Sequence, residues 1–208
     1  MNKVEYKKPT WVNKTELNIK VVQWFESRGI TQKTLLKTRI TDGSEWMPQT
    51  QKEENTIQFN YFRNNELVNV KYRTGNKNFK LFKDAELIFY NLDGIKDSET
   101  CFIVEGEMDA LSLIEAGIDN VVSVPNGANL KTNNLQYLDN CFDYFLNKKE
   151  VYLWLDNDVA GRKLKYDLAE RLGFERCKFI EIEDCKDANE YLQKYGLNAV
   201  ITIESKLQ

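Results

Sequence analysis

The sequence contains no histidine, and this absence excludes several common kinds of catalytic site. Ser-His-Asp catalysis, Cys-His catalysis and zinc sites with histidine ligands all need an imidazole ring. Four cysteines are present, but no two form a C-x-x-C pair, so we do not expect a zinc site built on four cysteines. Cys101 opens an apolar run and Cys177 lies near one, which predicts buried free thiols. The groups that remain for chemistry are carboxylates, lysine, arginine and hydroxyls, together with a hard metal ion.

Prolines are scarce and long apolar segments are missing. The chain of 208 residues has 3 prolines and 10 glycines, and no apolar run approaches the roughly 20 residues that a membrane helix needs. Residues 1–5 lack the basic and apolar regions of a signal peptide. With 42% hydrophobic and 29% charged residues, the composition is that of a globular protein with one large or two small domains. We expect no membrane partner and a cytoplasmic location.

The formal net charge of −3 combines two halves of opposite sign. Residues 1–100 contain 17 lysines and arginines against 13 aspartates and glutamates, whereas residues 101–208 contain 12 against 19. A basic part followed by an acidic part suits a protein that holds a polyanion with the first and a metal ion with the second. The count alone is equally compatible with chance.

The first half has the pattern of a small mixed α+β unit. Helical spacing predicts a helix around Glu16–Arg28 and a second, short one over Gln32–Lys37. Thr56–Phe62 and Leu67–Arg73 are typical of strands, and the four polar residues between them predict a β-hairpin.

From Cys101 onwards, short apolar strands alternate with helical segments, which predicts an α/β fold with a parallel sheet and helices on both faces. The predicted strands are Cys101–Glu105, Asn120–Val124, Val151–Leu155 and Lys178–Ile182. The predicted helices are Met108–Glu115, Leu130–Leu146, Val159–Leu172 and Ala188–Lys194. The polar stretch around Asn91–Thr100 marks the boundary, so the expected domains are an N-terminal basic subdomain with the hairpin at 1–97 and a second domain at 98–208.

Three acidic clusters follow predicted strands of this sheet. Glu105 and Asp109 come after the first, Asp156 and Asp158 after the third, and Asp187 after the fourth. Because the carboxyl ends of parallel strands lie on one edge of a sheet, we expect these clusters to converge there. Carboxylates facing one point need a cation between them, and Mg²⁺ prefers carboxylate oxygens, waters and phosphates. Each cluster alone could be a solvated turn, but three at one sheet edge favour a metal site.

The residues in and around these clusters resemble the Toprim domain, and more closely the primase part of phage bifunctional primase-helicases and the related mitochondrial replicative helicase. The resemblance covers about residues 65–195. The motifs that carry it are Glu105-Gly106-Glu107-Met108-Asp109, Asn126-Gly127-Ala128, Asp156-x-Asp158-x-Ala160-Gly161-Arg162-Lys163 and Lys186-Asp187-Ala188-Asn189-Glu190.

This resemblance implies a Toprim-type catalytic domain at 98–208 and the activity of a DNA primase: template-directed synthesis of short RNA primers on single-stranded DNA during replication. It implies that Asp156, Asp158 and Asp187 bind Mg²⁺ or Mn²⁺. Glu105 is then either the general base on the 3′-hydroxyl or a further metal ligand. A bacterial or phage-infected cell becomes the expected setting.

The same resemblance gives a role to the basic stretch before the sheet, where it implies contacts with nucleotide phosphate and primer. The candidate side chains are Lys71, Arg73, Lys77 and Lys80, with aromatic residues interleaved. Lys77 and Lys80 are the preferred catalytic cations, although the spacing alone does not decide which lysine matters. Arg162 is a candidate phosphate contact, and Asn126 a candidate nucleotide contact.

Two features of phage primase-helicases are absent from this sequence. It lacks the cysteines of a zinc module that reads the template, and no G-x-x-x-x-G-K-[ST] motif of a helicase occurs. We therefore expect a catalytic core that works with a replicative helicase and a template-reading module in the same or a separate chain. The alternatives are a Toprim nuclease and a non-catalytic nucleic-acid-binding module of a replicative helicase.

Overall fold

The computed structural model describes residues 5–10, 16–128 and 134–206, with side chains up to Ile203. Its secondary structure falls into an antiparallel sheet followed by a parallel sheet, each of four strands. The predicted α/β class with a parallel sheet in the second half is confirmed. None of the helices in these described ranges has the length and apolar character required to cross a bilayer.

The N-terminal half consists of two short helices and a four-stranded antiparallel meander in the order β1-β2-β3-β4. Its elements are α1 (Ile19–Glu26), α2 (Gln32–Lys37), β1 (Thr41–Met47), β2 (Lys52–Arg63), β3 (Glu66–Thr74) and β4 (Phe79–Leu81). The predicted β2–β3 hairpin is present. Its turn contains Asn64 and Asn65, both at positive φ, a conformation that asparagine tolerates and that suits a two-residue hairpin turn. Strands β1 and β4 were not predicted, because their apolar residues alternate less regularly than those of β2 and β3.

The second half is a parallel sheet in the order β6-β5-β7-β8 with helices packed around it. Its strands are β5 (Thr100–Val104), β6 (Val121–Ser123), β7 (Glu150–Trp154) and β8 (Cys177–Phe179). Its helices are α3 (Glu107–Glu115), α4 (Gln136–Asp139), α5 (Val159–Leu172), α6 (Ala188–Tyr195) and α7 (Leu197–Lys206). Consecutive residues of β5, β6 and β7 point to opposite faces yet are almost all buried, so both faces of the sheet are covered.

The long helix predicted at Leu130–Leu146 is wrong in its described part. That part contains the single turn α4 and a 3₁₀ turn at Phe142–Phe145, and residues 129–133 lie outside the described ranges. Asn134 and Asn140 flank α4, and asparagine is a poor helix former whose side chain competes for backbone hydrogen bonds. The final helix α7 was not predicted.

One hydrophobic core runs through both halves of the molecule. It joins Phe25 and Phe59 of the N-terminal half to the apolar strands of the parallel sheet. Tyr90, fully buried between them, packs edge-to-face on Phe59 and forms a β-bridge with Ser123 at the end of β6. The two sheets are therefore held firmly against each other, and the division at residue 97 stays a prediction.

Candidate active site

A cavity of about 540 Å³ lies at the carboxyl end of the parallel sheet, against the antiparallel sheet. Residues from widely separated stretches of the chain line it: Phe59, Lys71, Arg73, Phe79, Glu105, Gly106, Glu107, Met108, Asp109, Pro125, Asn126, Gly127, Asp156 and Asp187. The strand-end carboxylates Glu105, Asp156 and Asp187 thus meet in one cavity, as the parallel topology led us to expect.

Glu105, directly after β5, has one bonded and one unbonded carboxylate oxygen. Its Oε1 accepts a hydrogen bond from the Ala128 N–H at 2.9 Å. Its Oε2 is buried and has no hydrogen-bond partner within the described chain. Burial raises the pKa of Glu105, the Ala128 N–H opposes this, and the negative charges of Asp156 and Asp158 add to it. A buried carboxylate oxygen without a donor is costly unless a cation or proton reaches it.

Asp156 follows β7 and is paired with a lysine. Its Oδ2 lies 2.7 Å from the Lys186 ammonium, and its side chain is only 14% exposed. Burial raises the pKa of Asp156, and the contact with Lys186 opposes that rise. Gly161 lets the first turn of α5 approach this loop, because a Cβ there would lie 2.1 Å from the Asp156 carbonyl oxygen.

Asp158 and Asp187 both cap helices. Asp158 Oδ1 accepts from the Gly161 N–H at the start of α5, and Asp187 Oδ1 accepts from the Glu190 N–H at the start of α6. Capping fixes the orientation of each carboxylate and stabilises each helix by about 1 kcal/mol. Asp187 lines the cavity, whereas Asp158 does not. In the parts of the chain that the structure describes, no three metal-ligating side chains are grouped closely enough to hold an ion.

Asp109, in the first turn of α3, has both carboxylate oxygens engaged by backbone. Its Oδ2 accepts from the Gly106 N–H at 3.1 Å and its Oδ1 from the Asn189 N–H at 3.0 Å. The side-chain amide of Asn189 in turn donates a hydrogen bond to the Arg28 carbonyl oxygen in the N-terminal half. Asp109 therefore holds the loop after Glu105 against α6, and its raised pKa has burial as its main cause.

Of the four predicted cations in the basic stretch, two line the cavity opposite the carboxylates. Arg73 is paired with Phe79 across β3 and β4, and Lys71 lies on the same face of β3. Both cations line the cavity, and the Arg73 guanidinium lies 4.3 Å from the ring centre of Trp24. The structure does not bring Lys80 there, because it pairs with Tyr72 on the opposite face, where its ammonium lies 2.7 Å from Glu45.

Lys71 is held by a carboxylate that the sequence analysis did not single out. Its ammonium lies 2.8 and 3.1 Å from the two carboxylate oxygens of Glu107, which also accepts a hydrogen bond from the Tyr61 hydroxyl. Glu107 is only 4% exposed. Its place in the first turn of α3, one residue after Gly106, was visible in the sequence, but its partner was not.

Of the three other residues predicted to contact nucleotide or phosphate, one lines the cavity and two do not. Asn126 lines it. Lys77 is exposed and lies at positive φ in the turn between β3 and β4, two residues before the cavity residue Phe79. Arg162 is not among the lining residues, and its guanidinium contacts the backbone and side-chain oxygens of Asn157 at 3.3 and 3.2 Å.

Comparison with known proteins agrees with this architecture. A family model described as Toprim-like matches residues 102–192. The chain is 36% identical over 193 residues to the primase homolog protein of Arabidopsis thaliana, a match that covers 85% of this chain and 56% of that protein. It is 35% identical over 193 residues to the chloroplastic/mitochondrial Twinkle homolog protein of the same plant, covering 85% of this chain and 26% of that protein.

Among solved structures, the primase fragment of the bacteriophage T7 primase-helicase protein has a similar fold. Its TM-score is 0.71 at 23% sequence identity, and the match covers 96% of this chain and 82% of that one. The chain spans about half of the first curated relative and about a quarter of the second. The chain therefore carries a Toprim-like domain within a primase-type fold and is related in sequence to primase and Twinkle homologues.

Proposed function

We propose that this chain is the catalytic core of a DNA primase, which joins ribonucleotides into short primers on a single-stranded DNA template. The observation that carries the proposal is the single cavity in which Glu105, Asp156 and Asp187 face Lys71 and Arg73. Carboxylates opposite cations suit a nucleoside triphosphate bound with a divalent ion. The relatives named primase support the same activity, although they extend well beyond the matched region.

The donor set fits Mg²⁺ or Mn²⁺, both of which favour carboxylate oxygens. The buried Oε2 of Glu105 has no donor within the described residues, which is the environment that a cation would satisfy. One or two carboxylates suffice for such an ion when waters and substrate phosphates complete its coordination. We therefore propose Glu105 and Asp156 as its direct ligands, with Asp187 and Asp158 beside them. When bound, the ion would neutralise the triphosphate and the charge that develops on the leaving group.

The side chains of the chain itself then have distinct roles. Lys71 and Arg73 bind the phosphates from the opposite wall, and Lys77 reaches the same anion from the rim. Glu105, whose pKa is raised by burial, takes the proton from the attacking 3′-hydroxyl or remains a metal ligand. Asn126 contacts the nucleotide, and Arg162 steadies the loop after Asp156. Because Lys80 lies on the other face, where it pairs with Glu45, we propose no phosphate contact for it.

A primer-extension assay tests this function without requiring recognition of a start site. The purified chain is incubated with a single-stranded DNA template, a complementary ribodinucleotide, labelled ribonucleoside triphosphates and Mg²⁺ or Mn²⁺. We expect template-dependent extension that EDTA abolishes. Omission of the matching nucleotide should stop the product at the corresponding template base.

The alternative activities give different products in the same assay. Shortened template without extension indicates a Toprim nuclease. Binding of template with neither product indicates a non-catalytic module, and either result overturns the proposal.

A replicative helicase and a template-reading module remain proposed partners, in the same or a separate chain. Adding these partners is expected to raise the rate at which primers start in the absence of the ribodinucleotide. The rate of extension from an added ribodinucleotide should change little.

A further inference from the structure

We propose that Lys186 is a built-in counter-ion of the acidic cluster, which occupies the cation position beside Asp156 and is displaced when a divalent ion binds. This inference rests on the proposed metal site and gives a function to the lysine that is paired with one of its carboxylates. The juxtaposition that carries it is the 2.7 Å contact between the Lys186 ammonium and Asp156 Oδ2.

The backbone of Lys186 is fixed on both sides, so the ammonium is aimed at the cluster by the fold. Its carbonyl oxygen accepts from the Asn157 N–H at 2.9 Å, which joins the loop before α6 to the loop after β7. Its own N–H donates to the carboxylate of Glu190 at 2.6 Å. These two bonds hold the Cα beside the carboxylates whichever direction the side chain takes.

The side chain, in contrast, is able to leave. It is 57% exposed, whereas the carboxylate that it contacts is 14% exposed. Its backbone lies next to Asp187, and its side chain feels the charges of Asp156, Asp187 and Asp158 together. Carboxylates gathered without a cation repel one another, so a tethered ammonium stabilises the metal-free protein. A divalent ion binding to the same oxygens must release it to solvent.

The arrangement has a measurable consequence for metal affinity. Loss of the lysine leaves the cluster one unit more negative and removes a competitor. A monovalent and a divalent charge about 6 Å apart in a water-like dielectric interact strongly enough to change an equilibrium constant about tenfold. We therefore expect Lys186→Met to bind Mn²⁺ about tenfold more tightly than the unmodified chain, and to be less stable without metal. Lys186→Arg keeps the charge and should stay within about threefold.

Titration calorimetry with Mn²⁺ alone, on the full chain and at one ionic strength, tests the proposal. Lys149→Met is the matched control, because Lys149 also forms a 2.7 Å ion pair, with Glu99, but at the opposite end of strands β5 and β7. It changes the net charge equally and should leave the Mn²⁺ affinity within about twofold.

Two results would overturn the proposal. One is unchanged or weaker Mn²⁺ affinity in a Lys186→Met variant that still unfolds cooperatively on heating. The other is an equal increase in Mn²⁺ affinity in the Lys149→Met control. If Lys186→Met does not fold, Lys186→Gln, which also removes the charge but keeps a polar side chain, is judged by the same tenfold gain in Mn²⁺ affinity. Absence of Mn²⁺ binding in the unmodified chain contradicts the metal site itself, and a lack of primer extension with normal Mn²⁺ binding contradicts only the proposed activity.

Discussion

The two sheets contribute to the cavity by different geometrical rules. In the parallel sheet, Glu105 and Asp156 lie far apart in sequence but follow adjacent strands, and the topology brings both to one edge. In the antiparallel sheet, Lys71 and Lys80 belong to paired strands, yet they lie on opposite faces. The topology of the parallel sheet therefore brings distant residues together at one edge. In the antiparallel sheet, side chains alternate between the two faces along each strand, and this alternation separates the two lysines.

The largest effect should come from the carboxylate side of this comparison. Asp156→Ala removes a carboxylate from the cavity and leaves Lys186 without its partner. We expect nucleotide transfer to fall by about a thousandfold or more, because little else replaces a ligand that organises charge around the triphosphate. Primer extension measures the loss, and circular dichroism should show an unchanged fold. Extension within about tenfold of the unmodified chain would contradict the assignment.

A pair of lysine variants tests whether only one face of the antiparallel sheet contacts the substrate. Lys71→Met should lower kcat/KM for ribonucleoside triphosphate by about 100-fold, since this cation lines the cavity. Lys80→Met, the matched control on the opposite face, should stay within about threefold. Equal losses in the two variants would show that both faces of the sheet reach the substrate. A larger loss in Lys80→Met would reverse the assignment.

The buried partner of Lys71 sharpens the same test. Lys71→Met leaves Glu107 buried without its cation, which should cost about 3 kcal/mol of unfolding free energy. The double variant Lys71→Met/Glu107→Gln should regain most of that stability but none of the activity. Urea denaturation and steady-state kinetics on the same preparations separate the two effects. Recovery of activity in the double variant would show that the lysine acts through folding alone.

Glycine variants compare the packing of the two halves. Gly161→Ala should destabilise the chain by about 2–4 kcal/mol, because its Cβ would collide with the Asp156 carbonyl oxygen. Gly75, at the end of β3, has open space around the corresponding position, so Gly75→Ala should change stability by less than about 0.5 kcal/mol. Thermal unfolding provides the comparison, and similar shifts in the two variants would argue against the close approach at α5.

The smallest effect concerns the thiols, three of which are buried. Cys177 at the edge strand β8 is partly exposed, while Cys101, Cys141 and Cys185 are buried. Burial raises the pKa of Cys101 to about 12 and that of Cys177 to about 11, so both remain protonated near neutral pH. A thiol reagent should label Cys177 slowly and the other three only after unfolding, as mass spectrometry can determine. Fast labelling of Cys101 would show that the parallel sheet opens.

The sequence predicted the parallel sheet and the placement of its carboxylates because topology links strand ends to one edge. Glu105 and Asp156 could be identified in that way. The choice among the lysines could not, because it depends on the register of β3 against β4, and β4 has only three residues. Glu107 was equally hidden, since its partners Tyr61 and Lys71 come from another sheet. The broken helix around α4 shows that asparagines outweighed an apolar pattern.

We propose that carboxylates from separate strand ends hold one divalent ion opposite Lys71 and Arg73. A crystal of the chain soaked in Mn²⁺ and measured at the manganese absorption edge would locate that ion. We expect an anomalous peak in the cavity, within coordination distance of Glu105 and Asp156, with the Lys186 ammonium moved away. A fully soaked crystal with no peak in this cavity, or with manganese only elsewhere, would contradict it.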